Sequence, residues 1–93
     1  MRVSQTKTIT AQNTFTDWVQ MNGSFQIHIT GIAGGSIVTL QFTKDNGVTV
    51  YDIQTFNADT FYTGLLANTT WKYRAGIKTS EFGSGTVIVS LEA

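Results

Sequence analysis

The sequence contains neither cysteine nor proline, and only 13% of its 93 residues are charged. Without cysteine, the chain can build neither a disulfide framework nor a thiolate zinc site. Because proline is absent, no strand is barred on that ground from the interior of a sheet. No apolar run approaches the roughly 20 residues that span a bilayer, and the first residues lack the apolar core of a secretory signal. We therefore expect no membrane partner.

Charge of either sign is also scarce. Six basic and six acidic residues give a net charge of zero, which argues against a nucleic-acid partner, since such binding needs a basic patch. A neutral surface also repels its own copies only weakly. The polar character comes mainly from uncharged side chains, among them sixteen threonines, a residue that favours the half-buried surface of a strand.

Apolar residues alternate with a period of two along most of the chain, and helical periodicity is almost absent. Turn signals such as Asp45-Asn46-Gly47 separate the alternating segments. This pattern predicts seven or eight short strands in one domain. We expect an all-β, immunoglobulin-like antiparallel β-sandwich over residues 11–93, with a jelly-roll-like sandwich as the alternative. Residues 61–66 form either a short strand or a single helical turn.

The first ten residues favour a strand but carry few large apolar side chains. Such a segment buries little by itself, so we predict for residues 1–10 an edge strand or an arm that adds a strand to a neighbouring molecule. The candidate interface residues in this segment are Arg2, Val3, Gln5, Lys7 and Ile9.

Residues that could support catalysis are few. His28 is the only histidine, and the alternation places it on the outward face of its strand. Four aspartates could in principle supply an acid–base pair, but a chain of this size has little room for the cleft that such a pair flanks; they are Asp17, Asp45, Asp52 and Asp59. We expect no enzymatic activity, no cofactor and no metal site.

Two glycine-rich segments and several aromatic residues remain as binding candidates. The glycines of residues 31–35 and 83–85 precede strand patterns rather than helices, so we interpret both segments as strand connections and not as phosphate loops. For the aromatic residues we expect a place in the core or in a subunit interface, with a carbohydrate-binding module as an alternative; they are Trp18, Tyr51, Tyr62, Trp71 and Tyr73.

Two stretches carry a likeness to known proteins. The segment GIAGGSIVTLQF at residues 31–42, followed by KDNG and VYDI, resembles small structural proteins of tailed bacteriophages. The later WKYRAGI and GSGTVIV are similar to the closing strands of the same group, so the resemblance covers roughly residues 14–91.

The resemblance implies a non-enzymatic virion protein. Its implied role is that of a capsid decoration (cement) protein that binds and stabilises the phage head, with a tail or baseplate component as the alternative. The implied partners are the major capsid protein or other virion proteins. We also expect contact between copies of the chain, with a trimer favoured because it would fit the symmetry axes of a shell. The implied location is the capsid surface, after synthesis in the host cytoplasm.

Overall fold

A computed structural model describes residues 4–21, 23–67 and 70–92, and in these ranges the chain forms strands and no helix. The strands are β1 (Ser4–Ile9), β2 (Thr14–Phe15), β3 (Val19–Gln20), β4 (Gly23–Thr30), β5 (Val38–Thr43), β6 (Val50–Phe56), β7 (Thr60–Ala67), β8 (Lys72–Ile77) and β9 (Val87–Glu92).

The strands form two antiparallel sheets. The first sheet has the order β1-β9-β4-β7, and the second has the order β2-β8-β5-β6. β3 also pairs with β8, further along the same edge as β2, so β2 and β3 are two parts of one edge strand that is interrupted at residues 16–18. The predicted all-β sandwich is confirmed, and the uncertain segment at residues 61–66 lies within a strand.

The connectivity is that of a jelly roll rather than an immunoglobulin domain. With β2 and β3 counted as one strand, only the β5–β6 hairpin joins neighbours within a sheet, and every other connection crosses to the opposite sheet. Immunoglobulin domains instead place strands A and B side by side. The immunoglobulin-like expectation is therefore wrong and its alternative is correct. The alternation of apolar residues indicates which side chains of a strand are buried. It does not indicate which of the two sheets the strand joins, so it could not distinguish the two topologies.

The core lies between the two sheets and follows the predicted alternation. Phe25, Ile27 and Ile29 point inward from the first sheet, while Val38 and Leu40 face them from the second; all five are buried. Burying each such side chain contributes about 1.5–3 kcal/mol, and these two strands supply five of the fifteen buried apolar residues of the described core.

The two glycine-rich segments pack against each other at one end of the sandwich. Ala33 and Ser84 form an isolated antiparallel bridge, and the backbone N–H of Gly83 donates to Oγ of Ser36 at 2.7 Å. A Cβ atom on Gly83 would lie 2.1 Å from the carbonyl oxygen of Gly34, so only glycine permits this approach. Both segments are strand connections, as predicted.

The N-terminal segment is an edge strand of the protein's own sandwich, since β1 pairs with β9 along all six of its residues. Ile9 is fully buried in the core, so its assignment to an interface is corrected: a side chain enclosed by its own sheets is not available to a partner. Gln5 is half-buried and Lys7 is exposed. Arg2 and Val3 lie outside the described residues.

Candidate functional sites

The residues proposed for catalysis do not come together. His28 is exposed on the outer face of the first sheet and stacks on Phe61, with ring centroids 5.1 Å apart. Asp45 bonds within the β5–β6 turn, Asp52 pairs with Lys78, and Asp59 accepts a bond from a backbone N–H. Within the described ranges, no group of three or more histidine or acidic side chains could hold a metal ion. Nor do those ranges contain a helix able to cross a membrane.

Arg74 is held on the outer face of the second sheet. On β8 it alternates with the inward-facing Tyr73 and Ala75, and it lies opposite Gln41 of β5. Its Nε donates to Oε1 of Gln41 at 2.9 Å. The guanidinium carbon lies 4.0 Å from the ring centroid of Phe15 and 4.4 Å from that of Trp18. Both distances are well within the range of a cation–π contact.

The interrupted edge strand brings these two aromatic residues to Arg74. Between β2 and β3, the backbone N–H of Thr16 donates to the carbonyl of Ala75, and the Thr16 hydroxyl accepts a bond from the Ala75 N–H. This side chain keeps the backbone groups of β8 satisfied where the strand ladder is broken. A Cβ atom on Gly76 would lie 2.5 Å from Cα of Phe15, so glycine at this position lets Phe15 lie close to β8.

A polar network continues from Arg74 across the sheet. Nε2 of Gln41 donates to Oδ1 of Asp52 at 2.9 Å, and Nζ of Lys78 lies 2.7 Å from Oδ2 of the same carboxylate. The bonds from Lys78 and Gln41 lower the pKa of Asp52, and Asp52 in turn raises the pKa of Lys78. Partial burial lowers the pKa of Arg74, which stays a cation in any folded protein.

An open pocket of about 440 Å³ adjoins this network. Arg74, Lys78 and Gln41 are among its polar lining residues, and Phe15 and Val50 among its apolar ones. We call it the Arg74 pocket. The sequence pattern points to Trp18 but to neither Arg74 nor Gln41, because nothing in the local alternation shows that a distant edge strand covers the outward-facing position of Arg74.

A second candidate surface is the side of the sandwich formed by β6 and β7, which we call the β6–β7 side. These strands are the edges of the two sheets, and the rings of Phe56 and Tyr62 meet between them. Large apolar side chains are exposed on six described residues, and five of these lie on β6, on β7 or in the turn before β6. The five are Val48, Tyr51, Ile53, Phe61 and Tyr62.

Both edge strands of this side are irregular. The register of β6 against β5 shifts between Leu40 and Gln41, which leaves Ile53 as an extra residue, and all five residues from 51 to 55 are exposed. The register of β7 against β4 shifts between Phe25 and Ile27. Bulges hinder the addition of a further strand to an edge, so this side is suited to contact through side chains.

The five aromatic residues singled out from the sequence do not form one platform. Tyr73 is buried, as predicted for a core residue, and Trp18 packs on Arg74. Tyr51 and Trp71 flank Phe42 in a stack with centroid distances of 5.1 and 4.3 Å. Phe42 is paired with Tyr73, so this stack lies on the opposite face of the second sheet from Arg74.

Comparison of the chain with protein-family models, with curated proteins and with solved structures finds no match. Its function is therefore argued from these surfaces and from the sequence.

Proposed function

We propose that the protein is a non-enzymatic structural protein of a phage virion, and that it decorates the capsid by docking its β6–β7 side against the shell. The observation that carries this proposal is the concentration of exposed apolar side chains on that side: five of the six exposed large apolar residues of the described chain. We take this concentration on two adjacent edge strands as support for an interaction surface, since exposed apolar groups that lie near one another favour association.

Charge supports the same role. β7 carries no charged residue over its eight positions, and the whole chain has a net charge of zero. Crowding many neutral copies on a shell costs little electrostatic repulsion. Repetition across a lattice then adds avidity to a contact that is modest in each copy.

The fold and the sequence resemblance are compatible with this proposal. Jelly-roll sandwiches occur in viral capsid proteins and also in lectins, so the exposed surface, rather than the fold, carries the argument. The resemblance to phage structural proteins favours the virion. On the opposite side of the sandwich, Gln5 and Lys7 of β1 remain our proposal for contact between copies in a trimer.

A binding experiment with paired variants tests the docking surface. Particles that lack the chain are mixed with wild-type protein, with the double variant Ile53→Ser/Phe61→Ser, or with Ile88→Ser. Ile88 is 42% exposed, much like Ile53 at 43%, but it lies on β9, away from the β6–β7 side. We expect the double variant to lose binding by about tenfold or more, equivalent to about 1.4 kcal/mol, and Ile88→Ser to bind as the wild type does.

Equal binding by the double variant and the wild type would overturn the assignment of the surface. Urea unfolding of all three proteins establishes that any loss of binding does not come from loss of the fold. Quantitative mass spectrometry of complete particles gives the number of copies of the chain per particle, which distinguishes a location on the head from one on the tail. Hundreds of copies support decoration of the capsid, whereas a handful would favour the tail or baseplate alternative.

A further inference from the structure

We propose that the Arg74 pocket binds a small polyhydroxylated carboxylate, of the size of a sugar acid, with its carboxylate on the guanidinium of Arg74. The inference rests on the outer face of the second sheet and does not depend on the proposed docking of the β6–β7 side.

The guanidinium is fixed before any ligand arrives. Phe15 and Trp18 lie at 4.0 and 4.4 Å from its central carbon, and Nε is bonded to Gln41. A planar fork held in this way loses little side-chain entropy on binding. Its terminal Nη groups make no hydrogen bond with any residue in the described ranges, which leaves them to donate two parallel bonds to a carboxylate.

Within the described part of the chain, the charge of Arg74 has no carboxylate partner. Asp52, the carboxylate nearest in the network, is bonded to Lys78 and Gln41, and Glu81 acts electrostatically on Lys78. No acidic side chain of the described residues forms an ion pair with Arg74. A half-buried cation without a carboxylate partner favours an anionic ligand, since a hydrogen-bonded carboxylate offsets part of the cost of its desolvation.

The dimensions of the pocket indicate what surrounds the carboxylate. Its volume of about 440 Å³ falls in the range of about 300–1,000 Å³ that is common for small-molecule sites. Phe15 and Val50 offer apolar walls to the body of a ligand, and Asn13 and Thr79 offer hydrogen-bonding groups to hydroxyls. A carboxylate bearing both an apolar ring face and hydroxyl groups matches this lining, and sugar acids have all three features.

The two tryptophans make the binding directly observable. Trp18 packs on Arg74, whereas Trp71 stacks on Phe42 on the other face of the sheet. We suggest a titration of the ¹⁵N-labelled protein with sodium glucuronate, following the indole N–H signals of Trp18 and Trp71 and the Nε–H signal of Arg74. Glucose serves as the uncharged ring and acetate as the carboxylate without a ring.

We expect saturable shifts at Trp18 and Arg74 with glucuronate, binding at least about tenfold weaker with acetate, no shift with glucose, and no shift at Trp71. Arg74→Lys retains the positive charge but lacks the planar pair of Nη donors, so its affinity for glucuronate should fall by about tenfold or more. Lys72→Gln, on the same face of β8 but outside the pocket lining, should bind as the wild type does.

The absence of a saturable shift in the wild-type protein would overturn the proposal, and this result does not depend on the folding of any variant. Undiminished affinity in a folded Arg74→Lys would overturn the role of the guanidinium. If acetate bound as tightly as glucuronate, the assignment to a sugar acid would be wrong.

Discussion

Two threonines of β5 occupy equivalent positions on the outer face of the second sheet, yet their hydroxyl groups have opposite environments. Thr39 and Thr43 are 0% and 1% exposed. Oγ of Thr43 accepts bonds from the backbone N–H groups of Gly47 and Asp45, and it lies within hydrogen-bond distance of the Thr49 carbonyl. Oγ of Thr39 has no partner among the described residues. The two threonines are equally buried but differ in hydrogen bonding, so comparing them isolates the effect of hydrogen bonding on stability.

Replacing each threonine with valine, which has nearly the same shape, should have opposite effects. Thr43→Val leaves two part-buried backbone N–H groups of the β5–β6 turn, those of Asp45 and Gly47, without their acceptor. We expect a loss of about 1–2 kcal/mol in the free energy of unfolding. Thr39→Val removes an unsatisfied buried hydroxyl, so we expect no loss, or a gain of up to about 1 kcal/mol. Urea unfolding measures both changes, and equal losses in the two variants would refute the distinction.

Asp45 makes the same turn sensitive to acid. Bonds from Thr49, the backbone N–H foremost, and from the Thr43 hydroxyl lower the pKa of this carboxyl below 3.8. Because the pKa in the folded protein lies below that in the unfolded chain, the stabilisation is complete above the unfolded value and is lost as the pH falls through the folded one. The pKa of Asp52 is lowered as well, so its contribution changes in the same direction.

We therefore expect the free energy of unfolding of the wild type to fall below about pH 4. Asp45→Asn, which keeps an acceptor oxygen but cannot titrate, should show a smaller fall, with the remainder due to Asp52 and the other acids. Urea unfolding at intervals from pH 3 to pH 7 provides the comparison. An equally steep acid loss in Asp45→Asn would show that Asp45 does not contribute to it.

At the scale of the elements, the local alternation of apolar and polar residues predicted most of the strands, because apolar residues recur at every second position on the face of a strand that packs on the core. The inward residues Phe25, Ile27 and Ile29 are an example. The faces of β6 were harder to assign, since the bulge at Ile53 reverses the alternation halfway along the strand. The order of the strands in the sheets depends on pairings between distant segments, which no local pattern contains.

The candidate sites were predictable only in part for the same reason. His28 lies outward, as its alternation indicates. The Arg74 pocket depends on the bond between Thr16 and Ala75, which are 59 positions apart in the chain, and on the approach of Phe15 over Gly76. The sequence around each of these residues gives no sign of a binding site, and their role follows only from the pairing of β2 and β3 with β8.

β1 offers a test of whether the N-terminal element belongs to the fold. Ile9 is fully buried, whereas Lys7, two residues earlier on the same strand, is exposed. We expect Ile9→Ala to lower the free energy of unfolding by about 2–5 kcal/mol and Lys7→Ala to change it by no more than about 0.5 kcal/mol. If β1 were an arm outside the fold, both variants would unfold like the wild type in urea.

At the scale of the whole molecule, the sandwich measures 35 × 26 × 18 Å and has an accessible surface of 5070 Å². A contact of standard size covers about 800 Å² on each partner, roughly one sixth of this surface. The β1 edge presents the charged Lys7, whereas the β6–β7 side presents apolar side chains on two irregular edges. This asymmetry is the reason that we assign the proposed contact with a shell to the β6–β7 side rather than to the β1 edge.

The most direct test of the proposed function is a cryo-electron microscopy reconstruction of the intact particle whose genome encodes this chain. We expect density for the domain at repeated positions on the outer capsid surface, with the β6–β7 side against the shell and the side chains of Ile53 and Phe61 buried in the contact. Absence of the chain from the particle, its restriction to the tail, or a bound orientation in which the β6–β7 side faces solvent would contradict the account.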